Sequence, residues 1–268
     1  MNRRECAKRL ALLTGGAFLG FYGGAETRAL ENDAKQPLRL RVVSYNIQIG
    51  RGPGGSYSDP SQARLDRTAK RVAELAPDVA GLQEVDNKTN RSGSEVDQLA
   101  ELARLTNLTP TFVGKTELPG GVYGIGILSK EKPLRTDKVV MAGSAHPRVL
   151  QMCEFERYVF FNTHFPLKGD LREKAAKIAE DESKKRSKPI VFVGDFNAEP
   201  NSPEIRFLEQ TWTRVSPNAP TYPADAPNVQ IDYVFVKNAS KITVHDARVV
   251  DDPSTSDHRP VFCDITIE

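Results

Sequence analysis

Runs rich in Val, Ile, Phe and Tyr recur from Leu38 to Glu268, and many of them break off in a carboxylate, an amide or an imidazole. LRLRVVSYNI, DVAGLQEV, YGIGILS, KVVM, RVLQMCEF, RYVFFNTHF, IVFVGDFN, IDYVFV, KITVHDARVV and PVFCDITI all read as strands. RVLQMCEF and RYVFFNTHF stand close enough for a hairpin turning near Glu156. Helical spacing intervenes only in places. Leu65, Ala69, Val72 and Leu75 share one face of a helix opened by Asp59 as cap, Pro60 at its first position and Gln62, and stopped by Pro77. A second helix is predicted from Ser94, with Asp97 in its first turn and Val96, Leu99 and Ala103 inward. A third begins at Asp170 with Glu173 completing a capping box, and turns Leu171, Ala175 and Ile178 inward. Ser202 and Pro203 open a short fourth. Strands outnumber helices, with no linker and no fixed repeat. The fold class expected is α/β (α+β): two mostly antiparallel sheets packed together, with helices on the outer faces.

The first residues follow a different pattern. Arg3 and Arg4 form a twin-arginine pair, Lys8 follows, and a weakly apolar, Gly-rich stretch runs from Leu10 to Gly24, with cleavage expected at Ala25 or Ala29. Residues 1–29 resemble a bacterial twin-arginine export signal, although Cys6 and Ala7 stand where Phe and Leu are usual. Export to the periplasm or beyond is therefore expected. Without that segment 32 basic and 33 acidic side chains are left, a net charge of −1. Such a balance excludes a strong sequence-independent pull on polyanions. No apolar run reaches the length of a membrane span. Cys153 and Cys263 lie in strand-like runs and are expected as buried free thiols, with one disulfide as the alternative. Cys and His do not occur at zinc-ligand spacings, and there is no GxxxxGK phosphate loop.

Asn46, Glu84, His164, Asp195, Asn197, Asp232, Asp257 and His258 stand at, or just beyond, strand ends. Any one of them has an ordinary explanation as a turn former or a cap. Strand ends meet at one edge of a sandwich, so together they can converge on a single cleft. Asp195 and Asn197 are two apart, which on extended backbone sends both side chains to one face.

SYNI, GLQEVD, GIGILSK, NTHF, GDFNAEP, IDYVF and SDHRPV are similar, in that order, to the motifs of the endonuclease/exonuclease/phosphatase superfamily of deoxyribonuclease-like metal-dependent hydrolases. The resemblance covers residues 38–268, a single catalytic domain, and implies a four-layered sandwich. It further implies hydrolysis of a phosphodiester or phosphomonoester with Mg²⁺ or Mn²⁺ as cofactor. A phosphate ester repels an incoming nucleophile by its own charge, and a hard cation held by oxygen ligands offsets that charge. By this resemblance Glu84 is the principal metal ligand with Asn46 beside it, and Asp257 supports the metal or the network around it. His258 is the general base, held in one tautomer by Asp232. Asp195 aligns the water or protonates the leaving oxygen, both roles staying open. Asn197 donates to a phosphate oxygen, and His164 stabilises charge on the phosphate side. Arg148 is a weaker candidate for phosphate contact, and Arg91, with Asp97, for shaping substrate access. His146 and His245 are expected to be structural.

The partner expected is a phosphate-ester substrate, nucleic acid being one candidate, met by a monomer. Sphingomyelinase-like and inositol-phosphatase chemistry stay open within the class. A non-catalytic binding protein on the same fold would lack a ligand or base, yet every position is filled. A glycosidase built on Glu84 and Asp195 would leave His258, Asp232 and His164 without tasks.

Overall fold

A computed structural model describes residues 36–53, 62–141 and 147–268. The export reading of residues 1–29, the Asp59–Pro60 helix start and His146 lie outside the described residues. Among the described residues, twelve strands form two six-stranded sheets. In the first, β1 (Leu38–Asn46) and β2 (Val79–Asn87) are parallel neighbours, joined over one face by helix α1 (Gln62–Leu75). β3 (Thr109–Leu118), β4 (Gly121–Ser129), β11 (Ile242–Val249) and β12 (Val261–Ile267) complete it in the order β11-β12-β1-β2-β4-β3. The second sheet runs β5 (Arg135–Met141), β6 (Arg148–Glu154), β7 (Val159–His164), β8 (Ile190–Asp195), β10 (Asp232–Lys237) and β9 (Thr213–Arg214). Here β7 and β8 are the parallel pair, joined by α3 (Gly169–Ser183). Parallel neighbours require such a crossover, and every other pairing is antiparallel.

Among the described residues, the three larger apolar clusters separate four layers. Leu65, Ala69, Val72 and Leu75 of α1, with Leu99 and Leu102 of α2 (Gln98–Thr106), pack on Val43, Tyr45, Ala80 and Leu82. Val42, Val79 and Ile265 meet Phe160, Val191 and Val234 between the sheets. Ala175, Ala176 and Ala179 of α3 and Ile205 of α4 (Pro203–Leu208) cover Phe161, Phe192 and Phe235. This is the expected four-layered sandwich. Cys153 and Cys263 are buried in the layer between the sheets, and both are free thiols.

A polar chain threads the same layer. Gln83 Nε2 donates to Asn162 Oδ1 at 2.8 Å, and Asn162 Nδ2 donates to the Gly126 carbonyl at 2.9 Å, pinning β7 to β2 and β4. The sheets approach closely here: a Cβ on Gly81 would lie 2.4 Å from Val193 Cγ2.

Several local expectations shift. β3 was not among the expected strands; its Pro110 withholds a ladder donor, and the strand lies at the sheet edge, where that loss is tolerated. α2 begins at Gln98 rather than Ser94, since the Asp97 carboxylate caps it, accepting from Ala100 N–H at 3.0 Å. Residues ahead of it instead pair with the end of β2, Lys88 N–H donating to the Val96 carbonyl at 2.8 Å. α3 begins at Gly169 with Lys168 as its cap residue and no capping side chain, so the box from Asp170 to Glu173 does not form. The hairpin at Glu156 is present, closed by Phe155 N–H on the Tyr158 carbonyl at 2.9 Å. No helix among the described residues is long and apolar enough to cross a membrane.

Candidate active site

Three adjacent strands of the second sheet set the first row of polar groups. His164 ends β7 in register with Asp195 at the end of β8, and Asp232 opens β10 directly opposite Asp195. The first sheet supplies Asn46 at the end of β1 and Glu84 from β2. The Asn46 amide nitrogen joins the two sheets: it lies 3.0 Å from Asp195 Oδ2, 3.3 Å from Glu84 Oε1 and 3.5 Å from His258 Nε2. The segment carrying Asp257 and His258 is drawn in by Ser256, whose hydroxyl donates to the Asn46 carbonyl at 2.6 Å. All eight strand-end residues therefore gather at one rim.

Glu84 reaches the cluster through a β-bulge. The pairing of β2 with β4 shifts register between Leu82 and Val85, and Glu84 takes φ 56°. A bulge re-aims a side chain that regular alternation would send elsewhere. The left-handed backbone costs about 1–2 kcal/mol for a residue with a Cβ. Burial raises the Glu84 pKa and the charge of Asp257 raises it further, against the pull of Asn46, His258 and Arg148.

His258 is buried, and its Nδ1 donates to Asp232 Oδ2 across 2.9 Å, leaving Nε2 turned toward Asn46 and Asp195. Burial alone would lower its pKa, but the Asp232 and Asp195 carboxylates outweigh it and hold the imidazole up at about 10. Asp195 is pushed up to about 7 by burial, with the Asp232 charge adding and His258 opposing. Asp257 is raised mainly by burial.

His164 is held differently. Arg148, half-buried at the start of β6, donates Nη1–H to His164 Nδ1 at 3.1 Å and to the Tyr123 hydroxyl at 3.3 Å. A guanidinium cannot accept, so Nδ1 carries the lone pair and Nε2–H points at Asp195 Oδ2, 3.3 Å away. Burial, then the charges of Arg148 and His258, push the His164 pKa well down. Arg148 thus meets the cluster through His164.

Two expectations change with the backbone. Asn197 sits at φ 48°, so the extended geometry assumed for Asp195 and Asn197 stops at the strand end. Asp195 Oδ1 instead accepts the Asn197 backbone N–H at 2.9 Å, and Asn197 Nδ2 donates to the Phe165 carbonyl at 3.0 Å. One of its amide hydrogens is thereby committed. Arg91 is not brought into the cluster: its guanidinium grips both oxygens of buried Asp86 at 2.8 Å and lies 5.0 Å from the centre of the Tyr123 ring. Asp97 is a helix cap, bonded also by Asn87 Nδ2 at 2.9 Å. His245, on β11, pairs with Thr266 Oγ1 at 2.8 Å, away from the site.

Thr221 and Tyr123 were not anticipated. Thr221 is buried and donates to Asp232 Oδ2 at 2.6 Å, completing a hydroxyl–carboxylate–imidazole chain. It lies in a Pro-rich coil whose sequence carries no periodic signal, while Tyr123 reads as an ordinary strand aromatic.

The donor set suits a hard cation. Glu84, Asp257 and the Asn46 amide offer oxygens, and the raised pKa values of both acids reflect crowded, buried negative charge. Asn46 Oδ1 here accepts the Gln48 backbone N–H at 3.0 Å, so ligation through that oxygen entails a turn of the amide. Asp195, Asp232 and His258 also bring ligand-type atoms within 4.8 Å of one another. Both His258 Nδ1 and Thr221 bond Asp232 Oδ2, which commits that oxygen to holding the imidazole.

The sequence model of the endonuclease/exonuclease/phosphatase family matches residues 43–258. No protein in a curated set matches the chain in sequence. Among solved structures, an endonuclease/exonuclease/phosphatase from Bacteroides vulgatus is similar, with TM-score 0.69, 19% identity, and 86% of this chain and 100% of that one covered. A mannosyl-6-phosphatase from Bacteroides thetaiotaomicron gives 0.64 at 18% identity, covering 84% and 99%. TDP2 from D. rerio, complexed with a single-strand DNA product, gives 0.63 at 17% identity, covering 85% and 98%. At these identities the structures speak for the fold, and the match over residues 43–258 speaks for the family. The chain belongs to the endonuclease/exonuclease/phosphatase family, whose members hydrolyse phosphate esters.

Proposed function

We propose that the chain is a divalent-metal-dependent phosphoesterase that hydrolyses a phosphodiester, or a phosphomonoester, by in-line attack of water on phosphorus. The observation that carries this reading is the reach of one Asn46 amide nitrogen, within 3.5 Å of Glu84, Asp195 and His258 at once. Carboxylates for a cation and an oriented imidazole for a proton therefore share one pocket. Glu84, Asn46 and Asp257 would hold Mg²⁺ or Mn²⁺. When bound, the ion supplies positive charge that offsets both the phosphate and the carboxylates keeping His258 protonated.

Asp232 takes the Nδ1–H of His258 and fixes the ring, so that Nε2 is the nitrogen free to receive a proton from water. Asp195 sits between the two imidazoles and can orient the water or pass a proton to the leaving oxygen. His164, neutral with Nδ1 accepting from Arg148, can stabilise charge on the phosphate only by turning its one N–H from Asp195 to a phosphate oxygen. The remaining Asn197 amide hydrogen can do the same. A mannosyl-6-phosphatase and a DNA-product complex among the structural relatives support a phosphate ester as the substrate class.

Bis-p-nitrophenyl phosphate tests the reading. EDTA should abolish turnover, and Mg²⁺ or Mn²⁺ restore it. His258→Ala should lose at least about 100-fold in kcat, the size of losing an acid–base group. Turnover indifferent to chelator, or an equally fast His258→Ala protein, would reject it. A panel of DNA, RNA, sphingomyelin and inositol phosphates, each against the His258→Ala control, then identifies the ester cleaved.

A further inference from the structure

Tyr222 stands at the rim of the site without a task in the proposed chemistry. It is 36% exposed, yet its ring centre lies 4.9 Å from that of His258, the planes tilted by 48°. Among the described residues it is the one aromatic of the large apolar side chains that are exposed, the others being Leu105, Leu134, Val140, Leu167 and Val244.

Its backbone is fixed. Tyr222 and Val229 exchange both N–H···O=C bonds at 3.0 Å, and Asn228 N–H adds a third at 3.0 Å to the Tyr222 carbonyl. The preceding residue, Thr221, is tied to Asp232, and its carbonyl accepts Arg259 N–H at 2.8 Å. An aromatic ring held this way loses little freedom when a ligand stacks on it. Residues beyond 29 carry a net charge of −1, so affinity here must come from local contact rather than from a broad positive field.

We infer that Tyr222 is a specificity-determining platform that stacks on a flat, unsaturated ring of the nucleobase kind, carried by the ester arm that stays on phosphorus. The inference rests on the proposed function, with His258 on the side of attack. Water enters beside His258, its oxygen bonds to phosphorus as its proton passes to Nε2, and the ester P–O bond on the far side breaks. The leaving group departs with that electron pair away from Tyr222. A ring lying on Tyr222 therefore belongs to the retained arm.

Thymidine 5′-(p-nitrophenyl phosphate) and methyl p-nitrophenyl phosphate release the same p-nitrophenolate and differ in the arm that remains. The ratio of their kcat/KM values should favour the thymidine ester. It should fall about 10-fold or more in Tyr222→Ala, mainly through KM, because stacking on one base is worth about 1–3 kcal/mol. Tyr222→Phe should keep the ratio. Equal loss on both esters, carried by kcat, would show that Tyr222 only props His258 and would overturn the platform. Calorimetric titration gives a second readout: thymidine 5′-monophosphate should bind the parent more tightly than deoxyribose 5-phosphate, and Tyr222→Ala should lose that difference. Equal binding of the two by the parent overturns the inference. A parent that cleaves neither ester but prefers the nucleotide would retain the platform and remove the phosphoesterase reading instead.

Discussion

Arg148 donates from Nη1 to Nδ1 of His164 across 3.1 Å, and that bond decides which ring nitrogen of His164 carries the proton. The Tyr123 hydroxyl steadies the same nitrogen, accepting from it at 3.3 Å. His164 is thus a neutral hydrogen-bond donor to Asp195, whereas His258, gripped by Asp232, is the proton-binding ring. Two imidazoles on one carboxylate receive opposite roles from their outer partners.

Arg148→Met should release that constraint. Nitrogen-15 spectra of the parent should show His164 Nδ1 unprotonated and Nε2 protonated, and the variant should show a mixture. Turnover should fall about 10–100-fold, the usual cost of an orienting partner, with Arg148→Lys recovering part of it. Identical spectra in parent and variant would remove the orienting role.

Asp232→Asn keeps the shape of the buried chain but turns an amide donor toward His258. The imidazole then carries its proton on Nε2, the nitrogen proposed to receive one. Turnover should drop about 10²–10⁴-fold. Thr221→Val, which removes one hydrogen bond to the same carboxylate, should cost only about 10-fold. Thermal melts measured alongside separate this loss from unfolding.

Asp86 should confer acid-sensitive stability. Burial would raise its pKa, but the Arg91 fork and the hydroxyls of Ser92 and Thr89 outweigh it and hold it below the ordinary value. A carboxyl lowered in the fold stabilises fully above its unfolded pKa, about 3.9, and loses that contribution as pH falls through the lower folded value. Asp86→Asn should be about 2–3 kcal/mol less stable at pH 7, since Arg91 is partly exposed. Its urea midpoint should also change less than the parent's between pH 5 and pH 2, within about those limits. Parallel curves would refute the assignment.

Gly194→Ala should harm stability and activity together. A Cβ there would lie 2.4 Å from the Thr163 carbonyl oxygen, which is backbone and cannot rotate away. The strands that carry His164 and Asp195 would have to part. A loss of about 1–3 kcal/mol, or a melting temperature lower by several degrees, is expected. An unchanged melting temperature would contradict the close approach.

Much of the candidate site was legible because polar residues interrupt apolar strand runs at the ends, and the motif resemblance supplied the roles expected of them. Periodicity likewise marked the face of α1 by Leu65, Ala69, Val72 and Leu75, all buried as expected. β3 escaped because Pro110 and an edge position blur its alternation. Arg91 read as a candidate for shaping substrate access from a polar loop, and only the packing of Asp86 beneath it shows that its charge is taken.

The order of residues alone determined most of the strands and helices and which strands end in acids, amides and imidazoles, since these follow from spacing between chemical neighbours. Tertiary structure decided the rest. It made the bulge that turns Glu84 inward, the left-handed step at Asn197, the Arg148–His164 bond and the Thr221 hydroxyl behind Asp232. Asn46 and His258 are 212 positions apart yet share one pocket. Such meetings depend on the packing of two whole sheets, and no local pattern encodes them.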